Sequence, residues 1–144
     1  MKNFLIGGRA RLESKTIALE HAQDIAIARN QVRALAAALG FRLLDQTRLA
    51  TVTSELARNI VKYAGRGRLI AQPTNEPDGR IALRLIFEDQ GPGIPDIKAA
   101  MRDGFSTGRG LGKGLPGSER LVDEFKIESE AGRGTRVTVL RWKA

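Results

Sequence analysis

Apolar residues recur along this chain with two periods, and the changes from one to the other divide it into elements. The stretch 11–19 reads as a first strand. Over 24–39, Ile25, Ala28, Val32, Leu35, Ala36 and Leu39 fall at helical spacing, and Gly40 follows as the stop. A second helix is expected over 45–63, with Asp45 as its cap, Leu49, Val52, Leu56 and Ile60 as its buried stripe, and Gly65 beyond its end. Segments 69–72 and 81–87 read as strands joined by the polar turn 73–79, and Ile81, Leu83, Leu85 and Phe87 mark one buried face. The glycine-rich stretch 91–114 has helical character only over 95–102, with Pro95 suited to the first turn. A third helix at 115–123, a strand at 125–129, a turn at 132–134 and a closing strand at 135–142 complete the chain. This order predicts an α/β (α+β) two-layer sandwich, and 144 residues suit one domain over 1–144.

Composition narrows the chemistry. There is no cysteine and His21 is the only histidine, which excludes disulfides, thiolate metal sites and histidine-rich metal centres. The formal charge of +8 calls for an anionic partner. Lysine and arginine are scattered, without a basic run or clustered aromatics, so nucleic acid is not the expected one. The apolar patch Phe4-Leu5-Ile6 is too short for a signal-peptide core or a membrane span, and a soluble cytoplasmic protein without membrane attachment is expected.

Three groups of residues carry candidate chemistry. Glu55 and Asn59, four apart on the second helix, project from nearly the same face about 6 Å apart along the axis. Such a pair is common on solvated helices. Yet an amide oxygen suits Mg²⁺, and a carboxylate beside it can take a proton from a hydroxyl. Asp89 ends a buried strand and precedes Gln90-Gly91-Pro92-Gly93; its carboxylate can accept from the exocyclic amine of adenine, with Gly91 and Gly93 leaving room for the base. A plain turn also has this composition. The third group, Gly110-Leu111-Gly112-Lys113-Gly114-Leu115, opens a helix whose free N–H groups attract phosphate, with Arg109 and Lys113 adding positive charge. It is neither a Walker motif, since Gly114 follows Lys113, nor a dinucleotide fingerprint, since no strand directly precedes it.

In order and spacing, Glu55-x-x-x-Asn59, Asp89-x-Gly91-x-Gly93 and Gly110-x-Gly112-x-Gly114 resemble the N, G1 and G2 boxes of the GHKL ATPase and kinase superfamily. Within it, Ser54 to Asn59, Asp89 to Asp96, Gly104 to Thr107 and Gly114 to Gly117 look like the partner-switching serine/threonine kinases of sigma-factor regulation. The resemblance implies a mixed sheet covered on one face by helices, with ATP and Mg²⁺ as cofactors. It makes Glu55 the catalytic base, Asn59 the Mg²⁺ ligand, and Asp89 the adenine contact supported through water by Thr135. Gly91 and Gly93 would line the base. The segment 104–113, with Ser106, Thr107, Arg109, Leu111 and Lys113, would form a lid, with Gly110, Gly112 and Gly114 on the phosphates and Leu115 beside them. Lys113 stands where a small residue is usual. The implied substrate is a serine or threonine of a STAS-domain protein in a stressosome-like module, with a PP2C-type phosphatase as a further partner. Two other functions stay open: an anti-sigma factor kinase that sequesters a sigma factor, and a module that binds ATP without transferring phosphate.

Overall fold

The computed structural model of the chain describes residues 3–6, 10–93, 101 and 115–144. Helix α1 (Ala22–Ala38) starts two residues ahead of Asp24. The Asp24 carboxylate accepts bonds of 2.9 Å from the Glu20 and His21 N–H groups, so this acid secures the first turn from within it. The buried side of α1 is Ala28, Val32, Leu35 and Ala36, as its spacing predicts. A link through 39–42 leads to α2 (Leu43–Asn59), whose buried side includes Leu49, Val52 and Leu56.

Asp45 is not the cap of α2. The helix begins before it, and its fully buried carboxylate accepts instead from Arg48 at 3.0 Å and Arg141 at 2.7 Å. A short acid near a helix start reads as a cap; only the folded chain brings Arg141 to it from 96 positions away. Beyond Asn59 the helix continues as a π-turn, Ile60–Ala64, closed by a 3.0 Å bond from the Gly65 N–H to the Ile60 carbonyl. The wider turn re-aims the residues that follow Asn59.

Strands β3 (Lys15–Leu19), β4 (Gly67–Asn75), β5 (Ile81–Asp89), β6 (Glu124–Glu130) and β7 (Gly134–Trp142) form a sheet in the order β3-β4-β5-β7-β6. Every pairing in it is antiparallel, which bears out the α+β class while replacing the expected mixed sheet. Two consecutive helices carry the chain away from β3 and back, so β4 must run opposite to it. The expected strand 11–19 breaks at Ser14: β2 (Ala10–Glu13) pairs with β1 (Asn3–Ile6), and β3 pairs with β4. Pro73 lies inside β4, not in the turn, beyond the last β3 partner at Ala71, where one edge of the strand needs no donor. The short helix α3 (Leu115–Arg120) ends three residues before the expected limit at Asp123.

Register aligns the side chains in rows across the helix-covered face. Ala71, Leu85, Val139 and Phe125 form one row, and Leu69, Phe87, Val137 and Ile127 the next. These residues pack with Val32, Leu49, Val52 and Leu56 in the core. The row after them is Gly67, Asp89, Thr135 and Ser129, where the apolar layer ends. Among the described residues no helix is long and apolar enough to cross a membrane.

On the opposite face Glu88 accepts from Arg68 Nε at 2.8 Å and Arg136 Nε at 2.7 Å. Burial pulls the Glu88 carboxyl upward, but the two arginines outweigh it and hold the group below the usual carboxylate range. A carboxyl lowered in the folded state contributes stability above its unfolded value, about 4.3, and loses it as pH falls through the folded value. Urea unfolding followed from about pH 6 to about pH 2 should therefore show a shallower acid loss for Glu88→Gln than for the parent. Equal slopes would show that this pairing does not couple folding to pH.

Candidate functional site

The polar row at the end of the sheet opens into a pocket lined by Leu56, Asn59, Ile60, Tyr63, Ala64, Phe87, Asp89, Pro92, Gly93, Leu115, Thr135 and Val137. Each wall follows from local structure. Strand alternation that buries Leu83, Leu85 and Phe87 also turns Asp89 toward the helices. Leu56, Asn59, Ile60 and Tyr63 sit at helical spacings i, i+3, i+4 and i+7, so one side of α2 and its π-turn forms the facing wall. Leu115, the first residue of α3 and almost fully buried, closes another side.

Asp89 is the polar centre of this pocket. Its Oδ1 accepts from the Gly91 N–H at 2.8 Å, and the Thr135 backbone opposite also favours the ionised carboxyl. Burial pushes this carboxyl above its ordinary value, and these two backbone interactions only partly offset that rise. A carboxylate has about four acceptor positions, so Asp89 keeps capacity for a donor in the pocket. Thr135 lies opposite it in register, with its hydroxyl 2.9 Å from that of Ser129.

Gly91 and Gly93 also meet a packing constraint that the sequence does not show. A side chain on Gly91 would meet Ala64 Cβ at 2.6 Å and Asp89 Oδ1 at 3.1 Å; one on Gly93 would meet the Glu130 carbonyl at 2.5 Å. At both, the Cβ direction points into protein, and Gly93 also has φ +79. They let the 89–93 loop press against the π-turn and against the β6–β7 turn, where the Gly132 N–H bonds to the Pro92 carbonyl at 2.9 Å.

The sequence candidates divide into three groups. Asn59, Asp89, Gly93, Leu115 and Thr135 line one pocket, and Gly91 supports it through Asp89. Glu55 lies one helical turn before Asn59, outside the lining, with its Oε1 3.1 Å from Arg58 Nη1 and its side chain 39% exposed. Ser106, Thr107, Arg109, Gly110, Leu111, Gly112, Lys113 and Gly114 lie outside the described residues, as does nearly all of the expected 95–102 helix. Tyr63 and Ala64 were not anticipated; the continuation of the Leu56, Asn59 and Ile60 spacing to Tyr63 is the signal that finds the former.

Residues 44–144 match the protein family described as histidine kinase-, DNA gyrase B-, and HSP90-like ATPase. Over 119 residues the chain is 51% identical to the serine/threonine-protein kinase RsbT of Bacillus subtilis (strain 168), covering 83% of this chain and 89% of that protein. It is 31% identical over 127 residues to the anti-sigma F factor of Geobacillus kaustophilus (strain HTA426), covering 80% of this chain and 82% of that one. The crystal structure of the RsbU and RsbW domains of Rv1364c from Mycobacterium tuberculosis superposes with a TM-score of 0.60 at 21% identity. That likeness covers 92% of this chain and 33% of the other, and it bears on the fold. An ATPase family and a kinase relative imply that the chain uses a nucleotide.

Asp89 links affinity to stability with opposite signs. Because its folded value is raised, its charge disfavours folding at neutral pH, where the unfolded group is fully ionised. Asp89→Asn should weaken ATP about ten- to a hundredfold by calorimetry, the loss of one charge-assisted bond. Its thermal midpoint without nucleotide should be no lower than the parent's. Unchanged ATP affinity would remove Asp89 from the base site, and a large drop in midpoint would show that the carboxylate mainly supports the fold.

Proposed function

We propose a function on one premise: this chain belongs to the family of histidine kinase-, DNA gyrase B- and HSP90-like ATPases. It is a serine/threonine protein kinase that uses ATP within a partner-switching module of sigma-factor regulation. The observation that carries this reading is the pocket in which Asp89, Asn59 and Thr135 meet at the end of an apolar layer, in a chain 51% identical to a serine/threonine-protein kinase. Its substrate is a serine or threonine hydroxyl on a STAS-domain protein, its setting the cytoplasm, and a PP2C-type phosphatase is a further partner.

The residues fit the cofactor. Leu56, Ile60, Phe87 and Val137 supply flat apolar contact for a purine, and Asp89 supplies an acceptor for its amine. The Asn59 side-chain oxygen is the protein ligand for Mg²⁺. Among the described residues no group of three histidines or acids could hold a metal, so such an ion would take most of its ligands from phosphate and water, as Mg²⁺ prefers. ATP supplies the phosphoryl group. Glu55, on the open side of α2, accepts the proton of the substrate hydroxyl as that oxygen bonds to the terminal phosphorus and the bond to ADP breaks. Its exposed pairing with Arg58 is weak enough to yield to a docking hydroxyl.

The 31% identity to an anti-sigma F factor favours one second reading, a kinase that also sequesters a sigma factor. Co-purification separates the two: retention of a STAS protein supports the first, and retention of a sigma factor the second. Glu55→Gln should bind ATP with parental affinity and phosphorylate its STAS partner about a hundredfold more slowly or less. Phosphorylation at the parental rate would make Glu55 an ordinary residue of the helix surface.

A further inference from the structure

The end of β7 remote from the pocket carries an ion pair that the phosphoryl-transfer chemistry does not use. Arg141 lies six positions beyond Thr135 on the same side of the strand, about 20 Å along it. Its Nη2 donates to Asp45 Oδ1 at 2.7 Å, its Nη1 donates to the Leu121 carbonyl at 3.3 Å, and Nη1 lies 3.9 Å from Asp123 Oδ1. The side chains of Asp45 and Arg141 are 1% and 17% exposed. One guanidinium thus joins the start of α2, the end of β7 and the turn that leaves α3.

That turn matters because of what lies at the other end of α3. Leu121 immediately follows the helix and its N–H bonds to the Ser118 carbonyl at 3.1 Å. Leu115, the first residue of α3, is a wall of the nucleotide pocket. The helix between them spans only about 9 Å. A helix this short has almost no stability of its own, so its anchors decide where it sits.

Magnitude also argues against a purely stabilising role. A buried ion pair is generally no better for stability than well-packed apolar residues of similar volume, because desolvation offsets the attraction. The pair does what apolar residues cannot: it fixes a carbonyl at a set distance and direction.

We propose that Asp45 and Arg141 are positioning residues for nucleotide binding, holding Leu121, and through α3 Leu115, against the pocket that Asn59 and Asp89 share. The proposal rests on the kinase reading only for the identity of the nucleotide. The two act through α3 and do not touch the ligand.

The test is the full chain carrying Asp45→Leu together with Arg141→Met, which removes both buried charges; Arg48, which also pairs with Asp45, is a third exposed and can turn to water. Calorimetric titration with a non-hydrolysable ATP analogue, urea unfolding and steady-state phosphorylation of the STAS partner are measured on it. The urea midpoint should be at or above the parent's. The analogue's Kd and the KM for ATP should rise about three- to thirtyfold, with kcat at saturating ATP within roughly twofold. Arg141→Lys, which can reach Asp45 as a point charge but cannot fork to the Leu121 carbonyl as well, should give an intermediate Kd. A folded double variant with parental Kd overturns the proposal, as does a fall in kcat at unchanged KM. Should the double variant not fold, Arg141→Lys decides alone, and parental Kd there overturns it equally. If the parent phosphorylates no STAS protein, the kinase reading fails, while the analogue titration still decides the role of the pair.

Discussion

Strand alternation leaves Asp89 no choice of side. It follows Leu83, Leu85 and Phe87 at a period of two, so the alternation that buries those residues against α2 also turns a carboxylate toward the apolar layer. That carboxylate must find donors. The Gly91 N–H supplies one at 2.8 Å and the backbone of Thr135 lies opposite, which requires the chain to fold back at once after β5 and β7 to begin beside it. The tight return brings Gly91 onto Ala64 and Gly93 onto Glu130, where no side chain fits. Acid and glycines are therefore one device.

The roles proposed for Asn59 and Glu55 fall on two successive turns of a single helix. Asn59 and, beyond it, the π-turn face the pocket, whereas Glu55 stands one turn earlier and open to solvent. A residue that must meet a protein substrate is better placed at the rim than in the nucleotide cleft. The helix packs on the sheet through Leu49, Val52 and Leu56, and its π-turn continues the same side to Tyr63 and Ala64 in the cleft.

Features set by local periodicity were legible in the sequence. The stripes of α1 and α2, the buried face of β5 and the β6–β7 pair all follow from spacings of two or of three and four. The meeting of Asn59, Asp89, Gly93, Leu115 and Thr135 was legible only through the order of their motifs, since nothing local brings residues so far apart in sequence to one cleft. Features that depend on distant partners were not legible. Asp45 looks like a cap until Arg141 is placed beside it, and the antiparallel sheet depends on the direction in which two helices return the chain. The close packing of Gly91 was not legible either, because its neighbour Ala64 belongs to another element.

The central claim is that the acceptor at Asp89 selects a base bearing an exocyclic amine. Guanine presents a carbonyl at that position, so two acceptors would face each other across the pocket. Parallel calorimetric titrations of the full chain with ATP and GTP, in the same buffer with Mg²⁺, test this most directly. The account predicts that GTP binds at least about tenfold more weakly than ATP, the cost of an unmade charge-assisted hydrogen bond; equal affinities for the two nucleotides would contradict it.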